Sequence, residues 1–152
     1  MRHGDWRRAV RGLFVTALAA LVVVLAGCGK KGWVETYPVK GTVRVDGKPA
    51  NGATVSFYPK EIVGDKPYHP SGQTNENGEF NLSTFVTDDG APAGEYDVTI
   101  TWPVRYNPIS TLWEGDKLNG QYANKEKTTL RVKVEKQPQQ LPPFELSSGS
   151  KK

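Results

Sequence analysis

Short runs of alternating apolar and polar residues are the feature that most restricts the fold of this chain. The clearest run is 96–102, in which Tyr96, Val98, Ile100 and Trp102 alternate with polar residues. Side chains two residues apart share one face of a β-strand, so this spacing predicts a strand with one buried face. Beyond residue 36 no stretch sustains the spacing of an amphipathic helix. The sequence therefore predicts an all-β fold.

Seven such runs occur, separated by turn signals such as Asp46-Gly47 and Asn77-Gly78. The predicted strands are 39–46, 53–57, 71–74, 80–82, 96–102, 130–135 and 141–146. Gly41 lies inside the first of them, where glycine marks a bulge or a close approach by another backbone. Strands that each have one apolar face would leave apolar surface in water if they formed a single open sheet. Two packed sheets bury those faces, so we expect a seven-stranded β-sandwich.

The first 28 residues follow a different pattern. Four arginines precede an almost uncharged apolar stretch from Leu13 to Leu25, and the small residues Ala26 and Gly27 then lead to Cys28. A membrane-spanning helix needs about 20 apolar residues, whereas this shorter stretch suits a signal peptide. The tripeptide Leu25-Ala26-Gly27 before the only cysteine resembles the lipobox of bacterial lipoproteins.

That resemblance implies cleavage between Gly27 and Cys28 and attachment of a diacylglyceryl group, with fatty acids such as palmitate, to Cys28. Residues 1–27 would form the signal peptide helix, and membrane lipid would hold the mature protein by its first residue. The alternative is an uncleaved anchor helix with an incidental cysteine. Gly29, rather than aspartate, after the cysteine resembles outer-membrane sorting. It favours the periplasmic or surface face of the outer membrane over the inner membrane.

The net charge of +4 belongs mainly to the signal peptide. Removing four arginines and one aspartate from 20 basic and 16 acidic residues leaves 16 and 15, so the mature chain is nearly neutral. That balance argues against a nucleic-acid partner. The 125 residues from Cys28 onward suffice for one domain, and a single cysteine excludes an intrachain disulfide.

Three segments together resemble the carboxypeptidase regulatory-like domain. They are 37–57, which begins Tyr-Pro-Val-Lys-Gly-Thr-Val; 74–80, Thr-Asn-Glu-Asn-Gly-Glu-Phe; and 92–98, Pro-Ala-Gly-Glu-Tyr-Asp-Val. Residues 116–122 and 128–134 extend the resemblance over about 37–146, and a lipobox before such a domain resembles small bacterial lipoproteins. The resemblance implies a prealbumin-like (transthyretin-like) Greek-key sandwich that serves as an accessory, adhesive or binding module. It divides the chain into signal peptide 1–27, flexible tether 28–36, sandwich 37–146 and disordered tail 147–152.

The side chains available for catalysis are few. His69 is the only histidine after Cys28, which argues against a multi-histidine metal site, and no Gly-x-Ser-x-Gly motif is present. The acidic segments 75–78 and 88–90 offer oxygen ligands for calcium, but neither matches the twelve-residue calcium loop, so hairpin turns explain them better. We therefore expect no enzyme activity, no metal and no cofactor.

The connection 103–127 is long for a sandwich loop and contains Tyr106, Trp113 and Tyr122. These aromatic side chains could stack on sugar rings or on a protein partner, or could fold the loop back onto its own sandwich. The sequence therefore predicts a lipid-anchored, non-catalytic envelope module that binds or organises envelope proteins or polysaccharides. The alternative is a carbohydrate-binding module that uses the loop aromatics.

Overall fold

Residues 34–104 and 115–149 are described by the computed structural model of the protein. Within them all regular secondary structure is β, which confirms the predicted fold class. No helix in these two stretches is long and apolar enough to cross a bilayer. The predicted signal peptide and the predicted cleavage and lipidation site at Gly27 and Cys28 lie outside the described residues.

Each of the seven predicted runs overlaps one strand of three or more residues, numbered here in chain order. These strands are β2 (Val39–Val45), β4 (Thr54–Pro59), β5 (Ser71–Gln73), β6 (Glu79–Asn81), β8 (Gly94–Thr101), β9 (Arg131–Val134) and β11 (Phe144–Leu146). Four two-residue strands bring the number in the described residues to eleven: β1 (Thr36–Tyr37), β3 (Lys48–Pro49), β7 (Ala91–Pro92) and β10 (Gln139–Gln140). Two residues are too few to show alternation, which is why the sequence did not predict these four.

Two main sheets form the domain. One is antiparallel, in the order β5-β4-β8-β9. The other surrounds β2, which pairs antiparallel with β3 and β6 and parallel with β10 and β11. A separate antiparallel ribbon joins β1 to β7. The arrangement is that of an open sandwich.

Side chains from both sheets meet in a single core. Val43 of β2, Phe57 of β4 and Tyr96 of β8 are each fully buried in it. The Phe57 and Tyr96 rings lie 5.6 Å apart, and the Tyr96 hydroxyl donates a hydrogen bond of 2.7 Å to the Pro92 carbonyl. Burial raises the pKa of Tyr96 because the phenolate would be desolvated.

Two predicted turns form, and they have different roles. Asp46 and Gly47 have φ angles of 50° and 77°, as the tight hairpin between β2 and β3 requires. The Asn75–Glu79 turn closes through a 2.8 Å hydrogen bond from Asn75 N to Glu79 O. It connects β5 to β6, and these two strands belong to different main sheets. The second turn therefore connects the two main sheets, while the flanking segments still meet at the antiparallel Ser71–Ser83 bridge, as the predicted hairpin requires.

Gly41 of β2 is where a neighbouring side chain, rather than a backbone, comes close. A Cβ atom at this position would lie 2.5 Å from Cζ of Phe80, which β6 holds opposite Gly41. Contacts below about 3 Å are repulsive, so the Phe80 ring fills the space that a side chain at residue 41 would need.

Residues on the outer side of the predicted boundaries at 37 and 146 also contact the sandwich. Thr36 pairs with Pro92, and Val34 packs against the core, although both residues belong to the predicted tether. At the other end, Ser148 N donates a 3.4 Å hydrogen bond to the Asp46 carboxylate. Hydrogen bonding from Ser148 lowers the pKa of Asp46.

Candidate functional site

A polar cleft of about 520 Å³ lies between β5 and β6 and reaches β2 and β10. Polar side chains from the strands and from one turn line much of it: Lys40, Gln73, Asn75, Glu79, Asn81 and Gln140. They come from four strands and one turn, and the ends of this set are 100 residues apart in the sequence. The cleft therefore exists only in the folded domain.

The buried Phe80 ring forms the apolar floor of the cleft. It stacks on the Phe144 ring, with ring centroids 6.2 Å apart and planes inclined by 24°. Gly41 and Gly72 line the cleft without side chains. A Cβ atom at Gly72 would lie 2.3 Å from the backbone oxygen of Asn81. The shape thus depends on two glycines packed around one aromatic ring.

The groups around this floor include one basic and two acidic side chains, Lys40, Glu79 and Asp88, together with several amides. Amides both donate and accept hydrogen bonds, carboxylates accept them, and Lys40 donates. Asn75 is already oriented, because its side-chain nitrogen donates a 3.2 Å hydrogen bond to the Glu79 carboxylate. Such a mixture of donors and acceptors matches a ligand that carries several hydroxyl groups.

Neither a metal centre nor a histidine-centred site is assembled in the described part of the chain. Residues 34–104 and 115–149 contain no group of three or more His, Cys, Asp or Glu side chains placed to hold a metal ion. His69 is exposed, lies outside the cleft lining, and has its ring 5.5 Å from that of Tyr58.

The acidic segment 88–90 forms a turn in the loop between β6 and β7, but these strands do not pair with each other, so it is not the predicted hairpin turn. The Asp89 carboxylate accepts hydrogen bonds from Thr84 N at 2.6 Å, Phe85 N at 3.0 Å and Val86 N at 3.2 Å. Three hydrogen bonds from consecutive backbone groups to one carboxylate fix the loop that precedes β7.

Tyr122, one of the three predicted ligand-contacting aromatics, holds its own segment on the sandwich. It is half-buried against the core, and its hydroxyl accepts hydrogen bonds from Ser147 N at 3.2 Å and the Gln121 amide at 3.3 Å. This geometry favours the fold-back interpretation for Tyr122. The other two, Tyr106 and Trp113, lie outside the described residues.

Asp116 organises the base of the long loop, a role that sequence reasoning missed. Its carboxylate accepts hydrogen bonds from Trp102 N at 2.8 Å, Leu118 N at 3.0 Å and Gly120 N at 3.0 Å. The sequence Asp-Lys-Leu-Asn-Gly contained the signal, since an aspartate side chain often bonds the backbone two residues later. Trp102, predicted to be in the core, is only half-buried and donates from its indole nitrogen to the Asn51 carbonyl at 2.8 Å.

Comparisons with known proteins provide little further guidance. No protein-family model and no curated protein matches the chain. One matching solved structure is a 9R-lipoxygenase from Cyanothece, with 11% sequence identity and a TM-score of 0.38. The match covers 78% of this chain but only 18% of the lipoxygenase. A likeness this weak has no bearing on the activity of the present protein.

Proposed function

We propose that the protein is a lipid-anchored, non-catalytic β-sandwich module of the bacterial cell envelope that binds or organises other envelope components. The lipobox Leu25-Ala26-Gly27-Cys28, which lies only a few residues before the first strand at Thr36, is the observation that carries the proposal. The proposal also assigns the folded domain to the Greek-key sandwiches of the prealbumin-like, carboxypeptidase regulatory-like kind. Its location is the outer membrane, as Gly29 favours.

Physical chemistry supports attachment through Cys28. Burial of each acyl methylene contributes about 0.8 kcal/mol, so two or three chains hold a protein to a bilayer far more firmly than one. The domain itself would then need no spanning segment. Two features favour binding over catalysis. The cleft offers hydrogen-bond donors and acceptors for the hydroxyl groups of a ligand, and His69 is exposed outside the cleft.

The anchoring proposal is tested by labelling cells with an alkyne analogue of palmitate. We expect strong labelling of the wild type and recovery in the outer-membrane fraction, and background labelling and release from membranes for Cys28→Ser. A double variant, Cys28→Ser with Lys30→Cys, is the matched control because it restores a thiol two residues from the lipobox position. Equal labelling of wild type and Cys28→Ser would show that the lipid is elsewhere or absent.

A carbohydrate-binding function is the second candidate, and the polar cleft favours it more than Tyr122 does. Asn81 and Gln140 are exposed at the cleft and present amide groups to a ligand. Each hydrogen bond to a neutral ligand contributes about 1 kcal/mol, so loss of both weakens binding about tenfold or more.

Retention of the protein on peptidoglycan and on other envelope polysaccharides measures carbohydrate binding directly. We expect the double variant Asn81→Ala with Gln140→Ala to lose retention, while Trp113→Ala retains it. The opposite result would place the carbohydrate at the 103–127 aromatics. No retention of the wild type on any envelope polysaccharide would exclude the function.

A further inference from the structure

Three of the four large hydrophobic side chains with the most exposure in the described domain lie in two of its loops. The large hydrophobic residues with the most exposure are Ile62 at 55%, Val104 at 51%, and Val63 and Val86 at 47% each. Ile62 and Val63 lie between β4 and β5, and Val86 lies between β6 and β7. A single exposed valine is ordinary, but several on adjoining loops mark a contact surface.

Strand directions place both loops at the same end of the sandwich. Strand β2 begins there and β6 ends there, because Lys40 is the partner of Asn81. In the other sheet β4 ends where β8 begins, since Pro59 is the partner of Tyr96. Each of the two loops starts immediately after one of these strand ends.

A ring contact between Tyr68 and Phe85 joins the two loops. Val63 N donates a 3.4 Å hydrogen bond to the hydroxyl of Tyr68. The Tyr68 ring meets the Phe85 ring edge-on, with centroids 6.1 Å apart, and Phe85 precedes Val86 in the chain. We name the surface formed by Ile62, Val63 and Val86 the apolar end.

The N-terminal side of the domain enters at the apolar end. Val34 lies against Gly64, because a Cβ atom at Gly64 would be 2.7 Å from Cγ2 of Val34. Only six peptide units separate Val34 from Cys28. At about 3.5 Å per residue in a fully extended chain, a lipid on Cys28 is within roughly 20 Å of this surface.

We infer that the apolar end rests on the lipid bilayer that holds Cys28, with its aliphatic side chains in contact with the interface. The inference depends on the proposed lipidation and adds an orientation to it. The occupant is a bilayer because the chain that enters at this surface leads within a few residues to the attachment point. Loop residues 60–66 carry two basic and two acidic side chains, so apolar contact rather than anionic lipid drives the docking.

The orientation also determines which groups are presented away from the membrane. Seven residues of β2, at about 3.3 Å each, separate the apolar end from the Asp46–Gly47 turn. Asp46 N bonds to Leu146 O at 2.9 Å, so the C-terminal strand finishes at that distal end. The start of the 103–127 connection also lies there, because Thr101 is the partner of Thr54 at the distal start of β4.

The test uses the lipidated protein in neutral phosphatidylcholine vesicles, with a fluorophore on one introduced thiol. Lipidation consumes the thiol of Cys28, the only native cysteine, so Val86→Cys and Ile62→Cys each provide a single labelling site. Lys48→Cys is the control, because Lys48 is exposed in the hairpin at the distal end. We expect a lipid-borne quencher to act several-fold more strongly at residues 62 and 86 than at residue 48, in high salt as in low.

Lipidation and fluorescence quenching are both measured on each sample, so that the inferred orientation can fail separately from the proposed anchoring. Mass spectrometry and flotation with the vesicles report lipidation, and failure of both would overturn the anchoring and the orientation together. Flotation with equal quenching at residues 86 and 48 would overturn the orientation alone. As a further check, quenching of a label at Lys66→Cys is expected to fall several-fold when Ile62 and Val86 are both changed to serine. Unchanged quenching there would rule out docking through the apolar side chains.

Discussion

Replacing Gly90 with alanine is expected to destabilise the domain by about 3–4 kcal/mol, since it combines an unfavourable backbone angle with a steric clash. Gly90 has a φ angle of +85°, and a Cβ atom there would lie 1.8 Å from the carbonyl oxygen of Tyr37. Its amide donates to the Leu82 carbonyl at 2.9 Å, so the loop cannot shift without losing that bond. Strand β1 would have to separate from β7.

Gly47→Ala is the matched control for this clash. Gly47 has a similar φ of +77°, but a Cβ atom at that position would have nothing within 4 Å. It therefore isolates the cost of the backbone angle, about 1 kcal/mol. Chemical unfolding followed by tryptophan fluorescence measures both variants. Equal losses would mean that contact with Tyr37 imposes no constraint at Gly90.

The Gly90 variant also has a consequence for anchoring. Thr36 and Tyr37 pair with Pro92 and Ala91, so this short ribbon is where the tether becomes part of the sandwich. Loss of the ribbon would lengthen the free chain between the lipid and the domain. Membrane attachment would persist, but the apolar end would be held less closely to the bilayer.

The alternation of apolar and polar residues predicted the long strands, because every second residue of such a strand faces the core and is therefore apolar. In β2 the four residues at odd positions, from Val39 to Val45, are buried, and the polar residues between them are not. Strand β8 departs from this rule at Thr99, which is buried although it alternates with apolar residues. The segment 115–128 runs alongside this part of β8, where Ile100 N bonds to the Tyr122 carbonyl at 3.0 Å. Alternation describes one face of a strand and contains no information about what lies beside it.

The candidate site was less predictable because its parts are distant in sequence. Lys40 and Gln140 line the same cleft only because β10 pairs parallel with β2, opposite Val39 and Lys40. A two-residue strand has no sequence pattern that would reveal such a pairing. Conversely, an aromatic residue in a long loop suggested ligand contact by its type alone. The structure gives Tyr122 hydrogen-bond partners within the domain, which residue type could not predict.

Leu118 is the strongest apolar attachment of the described part of the long connection, and Leu118→Ala is expected to cost about 3–4 kcal/mol. Its side chain is fully buried in the core, although it lies outside every strand. Removal of a buried leucine side chain loses its transfer free energy and leaves a cavity. The Asp116 carboxylate, which bonds Leu118 N at 3.0 Å, cannot replace that packing.

Leu130→Ala provides the comparison, because Leu130 has the same side chain but is only partly buried against the core. It is expected to cost about half as much or less, since less apolar surface is exposed by the change. Chemical unfolding gives both values, and limited proteolysis reports whether residues 115–127 become accessible before the rest of the domain. Similar losses for the two leucines, with no gain in cleavage, would mean that the hydrogen bonds of Asp116 and Tyr122 hold this segment.

The stability of this segment also bears on ligand binding. If the 103–127 aromatics contact a carbohydrate, Leu118→Ala should weaken retention, whereas a ligand in the polar cleft should be retained for as long as the domain stays folded.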